Sequence, residues 1–115
     1  MSVLYAEDDG ANRRLMEIRL KRRGISVDSY ENGKAALEAY QKGQYKLVIL
    51  DLNMPELSGL EVMKEIRQQN LGQTVIALTS DDSQISQLER QGFTEVWIKP
   101  LLEDDYLNTI EGYLK

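Results

Sequence analysis

Strand-like and helix-like segments alternate five times along this chain, with short connections between them. That alternation calls for a parallel sheet covered on both faces by helices and wound by right-handed crossovers. The strand candidates are Val3–Ala6, Ile25–Tyr30, Leu47–Leu50, Thr74–Leu78 and Glu95–Ile98. Short runs rich in Val, Leu and Ile suit strands buried on both faces, and Ile25–Tyr30 is less apolar than the rest. From Ala11 the apolar spacing becomes helical, with Ala11, Leu15 and Ile18 at i, i+4 and i+7. Gly24 stops that helix after Arg22 and Arg23, which complement its dipole. Asn32-Gly33 opens a second helix through Lys42, with Ala36, Leu37 and Tyr40 as its buried face. A third, about Ser58 to Gln69, buries Val62, Met63 and Ile66. A short polar fourth, roughly Ser83–Gln91, has Ile85 and Leu88 as its large apolar anchors. The last, about Glu103 to Leu114, buries Tyr106, Leu107, Ile110 and Tyr113.

A length of 115 residues fits one domain, 1–115, with a core of its own. The chain has no cysteine and no histidine. Disulfides, thiolate metal sites, the usual general base and the usual transition-metal ligand are all absent. Carboxylate, hydroxyl, amide and ammonium remain, a set suited to hard cations and phosphoryl groups. A net charge of −5 argues against nucleic acid as a direct partner. No apolar run approaches the ~20 residues of a membrane span, and the start MSVLYAEDD has no basic n-region. A cytoplasmic location with no membrane contact is the expectation.

Four of the apolar runs finish on polar residues: Glu7-Asp8, Asp51, Thr79 and Lys99. In a parallel sheet these ends share one edge, and open sheets bind ligands beyond it where strand order reverses. With order 2-1-3-4-5 that crevice lies between strands one and three, at Glu7-Asp8 and Asp51. Taken singly, each residue has an ordinary role as a cap, a loop acid or a surface lysine. Their joint placement favours a pocket. Two carboxylates ~4 Å apart repel by about 4 kcal/mol at an effective dielectric near 20, so the cluster needs cations. Lys99 supplies one positive charge, and an oxygen-only site favours Mg2+ for the rest. The resulting set suits phosphoryl transfer onto an aspartate.

These residues resemble the receiver domains of two-component response regulators, of the chemotaxis-regulator type, over the whole chain. The motifs are the acid pair of YAEDD, the LDLNMPELSG loop, the LTS segment and the WIKP segment, in the family's order. The resemblance implies a flavodoxin-like α/β fold, a single three-layer doubly wound (βα)5 domain, with no output domain in this chain. It implies that Asp51 is the phosphoacceptor, forming a 4-aspartylphosphate. Asp8, Asp51, the Asn53 carbonyl and, through water, Glu7 would hold Mg2+. Thr79 would be the switch hydroxyl, Lys99 would contact a phosphoryl oxygen, and Pro100 would follow a cis peptide. The donor would be a phosphohistidine on a sensor histidine kinase or a histidine phosphotransfer protein. The basic first helix, with Arg13, Arg14, Arg19, Lys21, Arg22 and Arg23, is either its docking face or simply a solvated basic face. A downstream effector would read the fourth helix, fifth strand and fifth helix, and water attack near Asn53 and Asp81 would slowly reset the domain.

The chain departs from the family pattern at Val96, where Tyr or Phe is frequent, and at Ser80, where Ala or Gly is commoner. Trp97 is expected on the other side of the strand, under the last helix. Thr79 to Lys99 is slightly short, a difference that falls in the fourth helix or its flanking loops. The alternatives are a Mg2+-dependent phosphatase or phosphotransferase with an Asp nucleophile, a flavodoxin-like cofactor binder, and an interaction module that has lost phosphorylation. The first usually carries a second acid where Asn53 stands. The second needs a phosphate-cradling loop where Glu7-Asp8-Asp9 would repel phosphate.

Overall fold

The computed structural model describes residues 2–101 and 104–115. Its strands are β1 (Ser2–Ala6), β2 (Ser26–Tyr30), β3 (Tyr45–Asp51), β4 (Thr74–Thr79) and β5 (Glu95–Ile98). Its helices are α1 (Gly10–Arg22), α2 (Gly33–Lys42), α3 (Gly59–Gln69), α4 (Ile85–Gln91) and α5 (Asp105–Tyr113). The sheet has the order β2-β1-β3-β4-β5, and every pairing is parallel. The expected α/β architecture and strand order are both present.

Period-two alternation divides the core. Leu4, Ala6, Val48, Leu50, Val75 and Ala77 face one layer, packing with Ala36 and Tyr40 of α2 and Val62, Met63 and Ile66 of α3. Val3, Tyr5, Leu47, Ile49, Ile76 and Leu78 face the other, against Met16 and Leu20 of α1 and Tyr106, Leu107 and Ile110 of α5. Burying a side chain of this size stabilises by about 1.5–3 kcal/mol. The β3 residues Leu47–Leu50 are wholly buried, which explains why their sequence shows an unbroken apolar run instead of alternation.

Two helices differ from expectation. The apolar residues that mark α1 in the sequence are not those it buries: Leu15 and Ile18 are 45% and 41% exposed, whereas Met16 and Leu20 are buried. Asp9 caps α1 by accepting from the amides of Ala11 and Asn12. Arg13, on the face that continues through Met16 and Leu20, donates to the Glu7 carbonyl at 2.9 Å. That polar anchor turns the Leu15–Ile18 stripe outward. The α-helical part of α4 is shorter than expected, because Asp82–Gln84 form a 3-10 turn before Ile85. The expected start of the last helix at Glu103 lies outside the described residues. Trp97 packs with the α5 layer and Val96 with the opposite one, as the alternation requires.

Glycine is required where α3 meets the end of β3. A Cβ on Gly59 would stand 2.4 Å from the Asp51 carbonyl oxygen, too close for any real contact with backbone. Ser58 and Glu61 form a capping box there, so the helix start cannot retreat without losing those bonds. Gly59→Ala is expected to cost about 1–3 kcal/mol, the range for overpacking. Urea unfolding should show a lower midpoint with an unchanged slope.

Candidate functional site

Register brings the polar strand ends together. Ala6 lies beside Leu50, and Asp51 lies beside Leu78. The residues that follow β1, β3 and β4 therefore open onto one crevice above the sheet. Glu7 is 1% and Asp51 3% exposed. Asp8 is exposed at the rim. One carboxylate oxygen from each of Glu7, Asp8 and Asp51 falls within 4.8 Å of the others. Lys99, delivered by the end of β5, places its Nζ 3.1 Å from Glu7 Oε1 and 3.2 Å from Asp51 Oδ2. The Lys99–Pro100 peptide is cis. The cavity is about 320 Å3 and is lined by Glu7, Asp8, Asp9, Asn12, Asp51, Asn53, Ser80 and Lys99.

Backbone donors hold the acids in place. The Asn53 amide donates to Asp51 Oδ1 at 3.3 Å, and the Asp9 amide to Glu7 Oε2 at 3.3 Å. Thr79 is buried at the end of β4, where its hydroxyl accepts the Asp81 amide at 3.1 Å. Ser80, the next residue, lines the cavity.

The electrostatics are those of a site short of positive charge. Burial, together with contact and repulsion from Asp51, pushes the Glu7 carboxyl up to about 7, against the opposing pull of Lys99. Burial alone would lower Lys99, but the charges and hydrogen bonds of Asp51 and Glu7 outweigh it and raise the ammonium above its ordinary value. One lysine does not neutralise three acids. All the donors are oxygens, and the open cavity leaves room for retained waters. That chemistry fits a small hard divalent cation and does not fit a softer metal.

The structure also shows roles around the cavity that the sequence did not mark. Asn12, on the first turn of α1, lines the cavity. Arg13 ties that turn to the Glu7 backbone. Tyr5, two residues before Glu7 and facing the α5 layer, directs its hydroxyl at Glu7 Oε1, 3.4 Å away. Period two along β1 places Tyr5 on the same face as Glu7, but nothing in the sequence marks the aim of its hydroxyl. Three of the six basic residues singled out in the sequence on α1 and at its end bond within the protein: Arg13, Arg19 to the Leu101 carbonyl and Tyr106 hydroxyl, and Arg23 to Asn108 and Glu111.

Fold and cavity define the class: a doubly wound α/β domain whose switch-point crevice is built from carboxylates and one ammonium. Comparison with known proteins then gives the family. Residues 3–111 match the response regulator receiver domain, and the chain belongs to that family. It is similar to the uncharacterized transcriptional regulatory protein YkoG of Bacillus subtilis, with 40% identity over 81 residues, 70% of this chain and 36% of YkoG. It is similar to the cell cycle transcriptional regulator CtrA of Caulobacter vibrioides, with 29% identity over 118 residues, 100% of this chain and 51% of CtrA. The chain thus spans about half or less of these relatives. Among solved structures it resembles the response regulator protein TrrA of Thermotoga maritima in complex with Mg2+-BeF. That likeness has a TM-score of 0.88 and 33% identity, and covers 98% of this chain and 99% of that one. Among the described residues no helix is long and apolar enough to cross a membrane.

Proposed function

We propose that this chain is the phosphorylation-operated switch of a two-component phosphorelay, with Asp51 as the phosphoacceptor. The observation that carries the reading is the Asp51 carboxylate itself. It is buried, it lies 3.2 Å from the Lys99 ammonium, and it clusters with the carboxylates of Glu7 and Asp8. In the transfer, an Asp51 carboxylate oxygen attacks the phosphorus of a phosphohistidine. The O–P bond forms as the P–N bond breaks, and the electron pair returns to the imidazole. The Asn53 amide orients Asp51, and Lys99 moves from the acids to a phosphoryl oxygen. Asp8, Asp51 and the Asn53 carbonyl, with Glu7 through water, would hold Mg2+, whose charge offsets that of the phosphoryl oxygens.

The new acceptor oxygens give Thr79 a reason to release the Asp81 amide and donate instead. A charge-assisted hydrogen bond is worth about 1.5–3 kcal/mol, enough to shift a two-state equilibrium roughly ten- to a hundredfold. The element that moves is the β4–α4 loop with α4, in which Leu88 is the buried anchor. An effector reads the α4–β5–α5 face, where Val96 replaces the more frequent aromatic readout. The phosphodonor, a sensor histidine kinase or histidine phosphotransfer protein, docks on α1, which exposes Leu15 and Ile18 beside Arg14, Lys21 and Arg22. We place the switch in the cytoplasm.

Intact-mass measurement tests the reading. Incubation with a small phosphodonor and Mg2+ should add the mass of one phosphoryl group, and a chelator should prevent it. Absence of any adduct with Mg2+ present would refute the proposal.

Self-hydrolysis resets the switch, and two exposed residues at the rim tune it. Asn53 offers an amide to the attacking water, so Asn53→Ala should slow decay of the phosphorylated protein by about fivefold, the rate equivalent of one hydrogen bond of about 1 kcal/mol. Asp81 bonds the Ser83 amide and hydroxyl and orders the turn that follows Thr79. Asp81→Ala should therefore speed decay by a similar factor. Unchanged half-lives in both variants would remove these residues from the reset.

A further inference from the structure

We propose that Tyr5 is a positioning residue for the metal-binding acids: its hydroxyl holds the Glu7 carboxylate in place once Lys99 turns to the phosphoryl group. The inference deepens the reading above and rests on it. Tyr5 is 2% exposed in the middle of the sheet, and its hydroxyl hydrogen bond is to Glu7 Oε1. A phenylalanine, leucine or valine would fill the same layer, so packing alone gives no reason for a buried hydroxyl aimed at an acid. Glu7 Oε1 is shared: Lys99 Nζ stands 3.1 Å from it and the Tyr5 hydroxyl 3.4 Å. On Oε2 the Asp9 amide at 3.3 Å is joined by the same ammonium at 3.4 Å.

Lys99 is therefore the donor that both Glu7 oxygens use, and it is also the group the phosphoryl oxygen needs. When it leaves, Glu7 retains the Asp9 amide on one oxygen and Tyr5 on the other. A hydroxyl-to-carboxylate distance of 3.4 Å is long, and the same oxygen also takes the Lys99 ammonium. The bond can shorten once the ammonium departs. Tyr5 thus matters most in the phosphorylated state, where it keeps a buried carboxylate from becoming unpaired and from turning away from the ion's water shell.

Calorimetric titration tests this with four proteins: wild type, Tyr5→Phe, Glu7→Ala and the double variant. Tyr5→Phe retains the ring, and thermal unfolding in chelator confirms that it folds. It should weaken Mg2+ about threefold and weaken beryllofluoride, added with Mg2+ as the phosphoryl mimic, about tenfold, the lower end for groups that orient a metal site. In the Glu7→Ala background the same change should have no further effect, because the hydroxyl acts through that carboxylate. Equal affinities in wild type and Tyr5→Phe would overturn the inference. So would a loss of the same size with and without Glu7, which would mark Tyr5 as packing only. A wild-type protein that binds neither probe would instead defeat the phosphoacceptor reading, and this inference with it.

Discussion

Asp51→Asn is expected to make the metal-free protein more stable while abolishing phosphoryl uptake. Both effects come from the same charge. Carboxylate oxygens of Glu7 and Asp51 lie within 4.8 Å of each other, a separation at which two charges repel by about 3–4 kcal/mol at an effective dielectric near 20. The folded protein already responds to this crowding, since Glu7 is driven up to about 7. Removing the Asp51 charge forfeits its contact with Lys99 at 3.2 Å. It leaves Glu7 and Lys99 as a balanced pair 3.1 Å apart. The net gain should be about 1–2 kcal/mol, seen as a melting temperature higher by roughly 5–10 °C in chelator. With Mg2+ the order should reverse: wild type gains about 2.7 kcal/mol at a hundredfold excess over Kd, and the variant gains much less. A variant that melts lower than wild type in chelator would show that the cluster is not under electrostatic strain.

Lys99→Ala should separate metal binding from phosphoryl transfer by moving them in opposite directions. The ammonium competes with a cation for the same carboxylates, contacting Glu7 and Asp51 at once. Without it the cavity is more negative, so Mg2+ affinity should rise severalfold, about 1 kcal/mol of charge–charge energy at this partly screened site. Transfer should nevertheless slow by about 10²–10³-fold, the usual loss when a charged donor aimed at a reacting oxygen is removed. Titration calorimetry and the rate of adduct formation measure the two halves. A parallel fall in both would assign Lys99 a structural role and leave the phosphoryl contact without support.

The placement of the site residues was more legible in the sequence than some of the packing around them. Apolar runs that stop abruptly at Glu7, Asp51, Thr79 and Lys99 reveal strand ends, and parallel topology does the rest. The face of α1 was not legible. Leu15 and Ile18 carry the obvious apolar spacing, but the helix is oriented by the Asp9 cap and by Arg13 reaching the Glu7 carbonyl. Polar anchors of that kind leave no periodic signal. Tyr5 was hidden for a related reason. In a strand of buried residues a tyrosine reads as bulk, and only coordinates show where its hydroxyl points. The 3-10 start of α4 reflects Asp81, whose carboxylate accepts the Ser83 amide and tightens the turn, a local choice that helix spacing does not distinguish.

Reductive trapping tests the central claim most directly. Hydride reduction converts an aspartyl phosphate to the corresponding alcohol, so protein treated with a small phosphodonor, Mg2+ and then borohydride should carry homoserine at one position. Fragment-ion mass spectrometry of the proteolysed chain should place it at residue 51. Homoserine at another acid, or a phosphoryl adduct that hydride leaves unchanged, would contradict the assignment of Asp51.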